Sequence, residues 1–165
     1  MSPTLNLTVE ERKLLKDIQS VRVTDPSHEG QLINSLWKRA VNALECDLIC
    51  SHILAGITAE LAHKKRLREQ GAEMKYPNGS WKSWSDLIKK YEKNEKIRDK
   101  ANKIRVDYRN VWVHPNLEEL KTYLKSKGGP ITSDTETNIG FASAKEPLEV
   151  LKLTAQFLEM LSYTL

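Results

Sequence analysis

The sequence predicts an all-α fold, and three observations carry that prediction. Apolar residues recur at three- and four-residue spacing through most of the chain. No stretch alternates cleanly at period two, so no sheet is expected. The 7 glycines and 6 prolines fall between the periodic stretches, where helix boundaries belong. The 165 residues are near the usual size of one domain and long enough to build a core without staples. A hydrophobic share of 39% against 29% charged is ordinary for a soluble globular domain and excludes a disordered tail, a fibre or a low-complexity linker. There is no internal repeat and no change of composition, so residues 1–165 read as a single domain of about five helices.

Each element has a local reason. The first helix runs from Thr8 to about Val23: Thr8-Val-Glu-Glu11 fits a capping box, and Leu14, Leu15, Ile18 and Val21 form its stripe. Asp25-Pro26 ends it and starts the next, Asp25 as cap and Pro26 at the first helical position. The second helix is long, from about Pro26 to Gln70, with Ile33, Leu36, Trp37, Ala40, Val41, Leu44, Leu48 and Leu54 on its face. Gly56 weakens or bends it at a cost of about 1 kcal/mol. It ends in a basic patch from His63 to Arg68, followed by Gly71. Residues 71–83 form a loop around the turn Tyr76-Pro-Asn-Gly-Ser80. Ser83 caps a third helix from about Trp84 to Trp112 or Val113, which stops because Pro115 pushes His114 out of the helical region. A short fourth helix spans about Asn116 to Ser126. Residues 128–144 form a polar loop, a candidate cover for a site, and Ser143 opens a last helix with Leu148, Leu151, Ala155, Leu158 and Leu161 as its stripe.

Several function classes are excluded or unsupported. There is no glycine-rich phosphate loop and no His-Glu-x-x-His pattern. No apolar run approaches the roughly 18–20 residues that span a bilayer, and the first residues lack the order of a signal peptide. With only 2 cysteines a disulfide framework is not expected, so the reading is a reduced, cytoplasmic protein without membrane contact. Cys46, Cys50 and His52 supply three ligand types where a zinc site wants about four, so Cys46 and Cys50 read as buried thiols on one helix face, and no metal or cofactor is expected. Trp37 and Trp112 read as core. Trp81 and Trp84 pack against the bundle end, with base stacking as the alternative.

The net charge is +4 and the pI near 9.0. Its location is more telling than its size. Between Lys82 and Arg109 ten cationic side chains stand against five carboxylates, a local excess of +5 that fits a phosphate backbone or, alternatively, a solvated helix laced with ion pairs. Lys103, Arg105 and Tyr108 are the candidate RNA-binding residues.

The most informative segment is Asp107-Tyr-Arg-Asn-Val-Trp-Val-His114. An arginine, a polar residue, three apolar residues and a histidine resemble the signature of the HEPN superfamily, the nucleotide-binding domains of higher eukaryotes and prokaryotes. The resemblance rests on Arg109, Asn110 and His114; over the rest of the chain it is one of architecture. It implies an all-α bundle with two long helices in antiparallel contact and a twofold homodimer that joins two motifs in one cleft. It also implies RNA as substrate and a toxin or phage-defence setting with an antitoxin or defence partner. Catalysis would be metal-independent, leaving 2′,3′-cyclic phosphate and 5′-hydroxyl ends. The alternative is a non-catalytic HEPN-type module that binds nucleotide or protein. On one continuous helix Arg109 and His114 stand about 140° apart, so either the helix unwinds before His114 or two protomers share the site. In this reading His114, with an ordinary pKa of about 6.5, moves the proton. Arg109 grips the phosphate, and Asn110 holds a ring nitrogen or a phosphate oxygen. The structural alternative pairs Arg109 with Asp107 or Glu118.

Overall fold

In the computed structural model, which describes residues 6–113, 117–126 and 144–163, the described residues are helical and contain no strand. The first helix forms as α1 (Val9–Ser20). Thr8 Oγ1 accepts the Glu11 amide at 3.1 Å and Glu11 Oε2 accepts the Thr8 amide at 2.8 Å, the reciprocal capping the sequence anticipates. The second start differs from expectation. Ser27, not Asp25, caps α2 (His28–Ala43), accepting the Gly30 amide at 3.0 Å. Asp25 is engaged elsewhere: it accepts the Ser27 amide at 2.9 Å and pairs with Lys65 at 2.6 Å. A Cβ at Gly30 would lie 2.4 Å from the Asp25 carbonyl, so the linker folds onto this turn only because residue 30 is glycine.

The stretch expected as one helix over 26–70 is two. α3 (Leu48–Glu69) begins anew at Asp47, whose carboxylate accepts the Cys50 amide at 2.9 Å. Aspartate favours a cap over a helix interior because its short side chain competes for backbone donors. The break folds α3 back along α2. Ser51 donates to the Ala40 carbonyl near the bend at 2.7 Å, and Arg68 reaches Glu29 at the far end. The cysteine expectation fails with it: Cys46 is exposed in the bend and Cys50 is half-buried in the first turn of α3, so they are not two buried thiols on one face.

The predicted helix from Trp84 to Val113 also breaks. Ser83 caps α4 (Trp84–Tyr91) as expected, accepting the Asp86 amide at 3.1 Å. Glu92 then turns inward to bond His63 at 2.7 Å while accepting the Asn94 amide at 2.9 Å, a local bond that competes with helix continuation. Asn94 caps α5 (Glu95–Ile104), which runs into a π turn (Arg105–Arg109) and then α6 (Asn110–Val113) and α7 (Leu117–Ser126). The last helix is α8 (Lys145–Met160). Its predicted opening at Ser143 lies outside the described residues, as do the 128–143 loop, Pro115 and Asn116.

α3 sits at the centre. Its buried positions lie on all sides and are mostly small or polar, which lets α2, α8 and the 95–113 segment approach it closely. Thr154 of α8 donates to the Ala55 carbonyl at 3.3 Å. Trp37, Leu44, Leu148, Leu151, Phe157 and Leu158 fill the core around it. The 71–83 loop closes as a miniature hairpin, Gly79 taking a φ of 84° and Lys75 pairing with Trp81 across an antiparallel bridge.

Candidate functional site

The π turn positions Arg109. The Asn110 amide reaches back to the Arg105 carbonyl, one residue further than an α-turn allows. This presents the Arg109 stem to α3 at Gly56, where an added Cβ would lie 3.1 Å from Arg109 Cβ. Gly56 therefore does not bend α3; its missing side chain makes room for Arg109. One turn on, Glu60 Oε2 accepts Arg109 Nη2 at 2.7 Å, and Glu60 Oε1 holds Lys64 Nζ at 2.6 Å. Glu60 is buried, so this is a largely desolvated cation–carboxylate–cation chain. Among the described residues the carboxylate on Arg109 is thus Glu60 and not Asp107, which pairs with Lys103 at 3.1 Å. The side chain of Glu118 lies outside what the structure describes.

Asn110 is half-buried beside Arg109. His114 lies outside the described residues. Of the candidate RNA-binding residues, Lys103 is exposed, Arg105 is half-buried with Nη2 donating to Asn102 Oδ1 at 3.3 Å, and Tyr108 is buried with its ring 5.5 Å from that of His52. Burial, with Glu146 nearby, pushes the Tyr108 phenol up to about 12. The structure therefore brings Arg109 and Asn110 together and turns Tyr108 into the core.

Trp112 leads to a polar network that the sequence reading missed. Its Nε1–H donates to His52 Nδ1 at 2.8 Å. An indole only donates, so the imidazole proton sits on Nε2, 3.0 Å from the Tyr123 hydroxyl oxygen. Tyr123 in turn donates to Glu146 Oε1 at 3.1 Å. Burial and the Glu146 carboxylate hold the Tyr123 phenol well above its usual range. The chain of donors ties α6, α3, α7 and α8 together around the motif segment. α3 repeats the device eleven residues later. Trp84 Nε1–H donates to His63 Nδ1 at 3.1 Å, and His63 Nε2 meets Glu92 Oε2 at 2.7 Å. Burial pushes the His63 imidazole below its ordinary pKa, against the upward pull of Glu92. Three helical turns bring residues 52 and 63 to within about 20° of one face, and that spacing was the available signal. The sequence reading placed His63 in a basic patch; it is buried, and Lys65 and Arg68 of that patch are ion-paired.

No family model, curated protein or solved structure matches this chain. Among the described residues no group of three or more histidines, cysteines and carboxylates is placed to hold a metal ion, and no helix is long and apolar enough to cross a membrane. The four tryptophans divide: Trp37 and Trp84 are buried, Trp112 is half-buried on His52, and Trp81 is exposed rather than packed against the bundle end.

Proposed function

We propose that this chain is a metal-independent endoribonuclease of HEPN type. It acts as a twofold homodimer on RNA, in the cytoplasm, in a toxin or phage-defence setting with an antitoxin or defence partner. The observation that carries the reading is the seating of Arg109. An arginine whose stem packs on Gly56 and whose guanidinium is fixed by Glu60, with a basic segment before it and His114 five residues after it, is pre-organised for a phosphate. Arg109 binds the scissile phosphate and Asn110 orients it or a ring nitrogen. His114 of one protomer takes the proton of the 2′-hydroxyl as that oxygen attacks phosphorus. The partner's His114 protonates the departing 5′-oxygen. The ends left are a 2′,3′-cyclic phosphate and a 5′-hydroxyl.

Glu60 favours a second reading. Its carboxylate already neutralises Arg109 at 2.7 Å, which suits a non-catalytic HEPN-type binding or dimerisation module. Cleavage of a mixed-sequence RNA in EDTA separates the two, with wild type beside His114→Ala and Arg109→Lys variants of matched helical content. Cleavage by wild type that ends in a cyclic phosphate and is lost in His114→Ala supports the enzyme. Absence of cleavage by a folded wild-type dimer supports the module. Equal cleavage by wild type and His114→Ala places the chemistry elsewhere.

A further inference from the structure

Away from the Arg109 segment, α2, α3 and the 72–82 hairpin enclose a groove of about 700 Å³, within the range of small-molecule sites. Of the six large apolar side chains exposed among the described residues, four line it: Leu32, Leu61, Tyr76 and Trp81. Trp81 is 71% exposed, an unusual position for an indole held rigidly by a bridge and a tight turn. Apolar exposure gathered in one concave place marks a binding surface rather than chance scatter.

The charges around it narrow the occupant. Lys65 is held by Asp25 and Glu69, Arg68 by Glu29, and Lys64 by Glu60. Lys82 is held by the Glu73 carbonyl and the Tyr91 hydroxyl, with the Glu73 carboxylate 3.6 Å away. Lys75 differs: its ammonium rests 4.5 Å from the centre of the Trp81 ring, and among the described residues no carboxylate pairs with it. One cation with no carboxylate partner, at the aromatic end of an apolar groove, matches a ligand with a flat apolar body and a single negative group. A polyphosphate would need several free donors.

We propose that this groove binds a small aromatic monocarboxylate, its ring against Trp81 and its acid group on Lys75. This stands apart from the ribonuclease reading, since no residue of the Arg109 segment takes part. The test is a calorimetric titration of the full chain with 2-naphthoate, beside 2-naphthalenemethanol as the uncharged match. Naphthoate binds with a Kd below about 1 mM. The alcohol binds about threefold to fivefold more weakly, the contribution of one exposed ion pair. Lys75→Gln removes that difference and leaves alcohol binding unchanged. Trp81→Ala weakens both ligands by about tenfold. Both positions are exposed, and an unchanged melting temperature confirms that the variants fold. Equal affinity for acid and alcohol, binding untouched by Trp81→Ala, or no binding at millimolar ligand overturns the proposal. So does a dimer, seen by sedimentation, that Trp81→Ala dissociates, because the groove is then covered by a second copy.

Discussion

Single residues at the site work at close tolerance. Alanine in place of an exposed helical glycine ordinarily stabilises by about 1 kcal/mol. At Gly56 the new methyl group meets the Cβ and backbone of Arg109, and overpacking of this kind costs about 1–3 kcal/mol. Gly56→Ala is therefore expected to lower the urea midpoint, and a raised midpoint would show that the π turn yields freely. His63 makes a second prediction. Trp84 donates to Nδ1, so a protonated ring would set two donors against each other. The folded protein therefore resists protonation at a pH where the unfolded chain, with an ordinary value of 6.5, accepts it. Stability is full above that pH, falls as the pH drops through it, and levels off below the folded value. Asp25 adds a separate, lower step. Its hydrogen bond from Lys65 holds it at about 2 against an ordinary 3.8, so its contribution is present above 3.8 and lost as the pH falls toward 2. Urea unfolding from pH 8 to pH 2 resolves both windows, and His63→Gln is expected to abolish the upper step alone. Thr8 and Ser83 were readable as caps because their partners lie three residues away. Glu60 as the partner of Arg109 was not, because 49 residues separate them and nothing local marks the pairing.

At the level of elements, the periodic stripes were legible and the breaks within them were not. Asp47, Glu92 and Asn94 look like ordinary surface positions of a continuous helix, since the apolar period carries on past them. What ends the helices there is competition from side chains that find backbone donors or a buried histidine. The π turn was equally hidden, with neither glycine nor proline in Arg105–Arg109. Its role becomes clear from the faces on either side. Ile97, Ala101 and Ile104 before it and Tyr108 within it are buried, and Trp112 beyond it bonds His52 of α3; a π turn absorbs one extra residue without rotating these flanks out of register. Deletion of Val106, which is exposed, is therefore expected to restore α winding at a cost below about 1 kcal/mol. Deletion of Val111 instead swings Trp112 by about 100° away from His52. It is expected to cost well over about 2 kcal/mol through loss of a buried hydrogen bond and of packing. Paired thermal melts decide the matter, and equal losses would refute this account of the turn.

For the molecule as a whole, the fold class was legible because composition and period agree everywhere, while the arrangement around α3 was not. A helix buried on all sides shows little amphipathic signal, and its small residues, Ala55, Ala59 and Ala62 among them, give no hint of how many neighbours they admit. Hydrogen exchange is expected to rank the parts accordingly. The amides of Ala55–Ala62 exchange only through global unfolding, whereas the exposed hairpin tip at residues 76–80 exchanges through local opening. Fast exchange within Ala55–Ala62 would contradict the central placement. The same helix supplies the seat of Arg109, both buried histidines and one wall of the Trp81 groove. A protease that cuts within α3 would therefore abolish all of them in a single event.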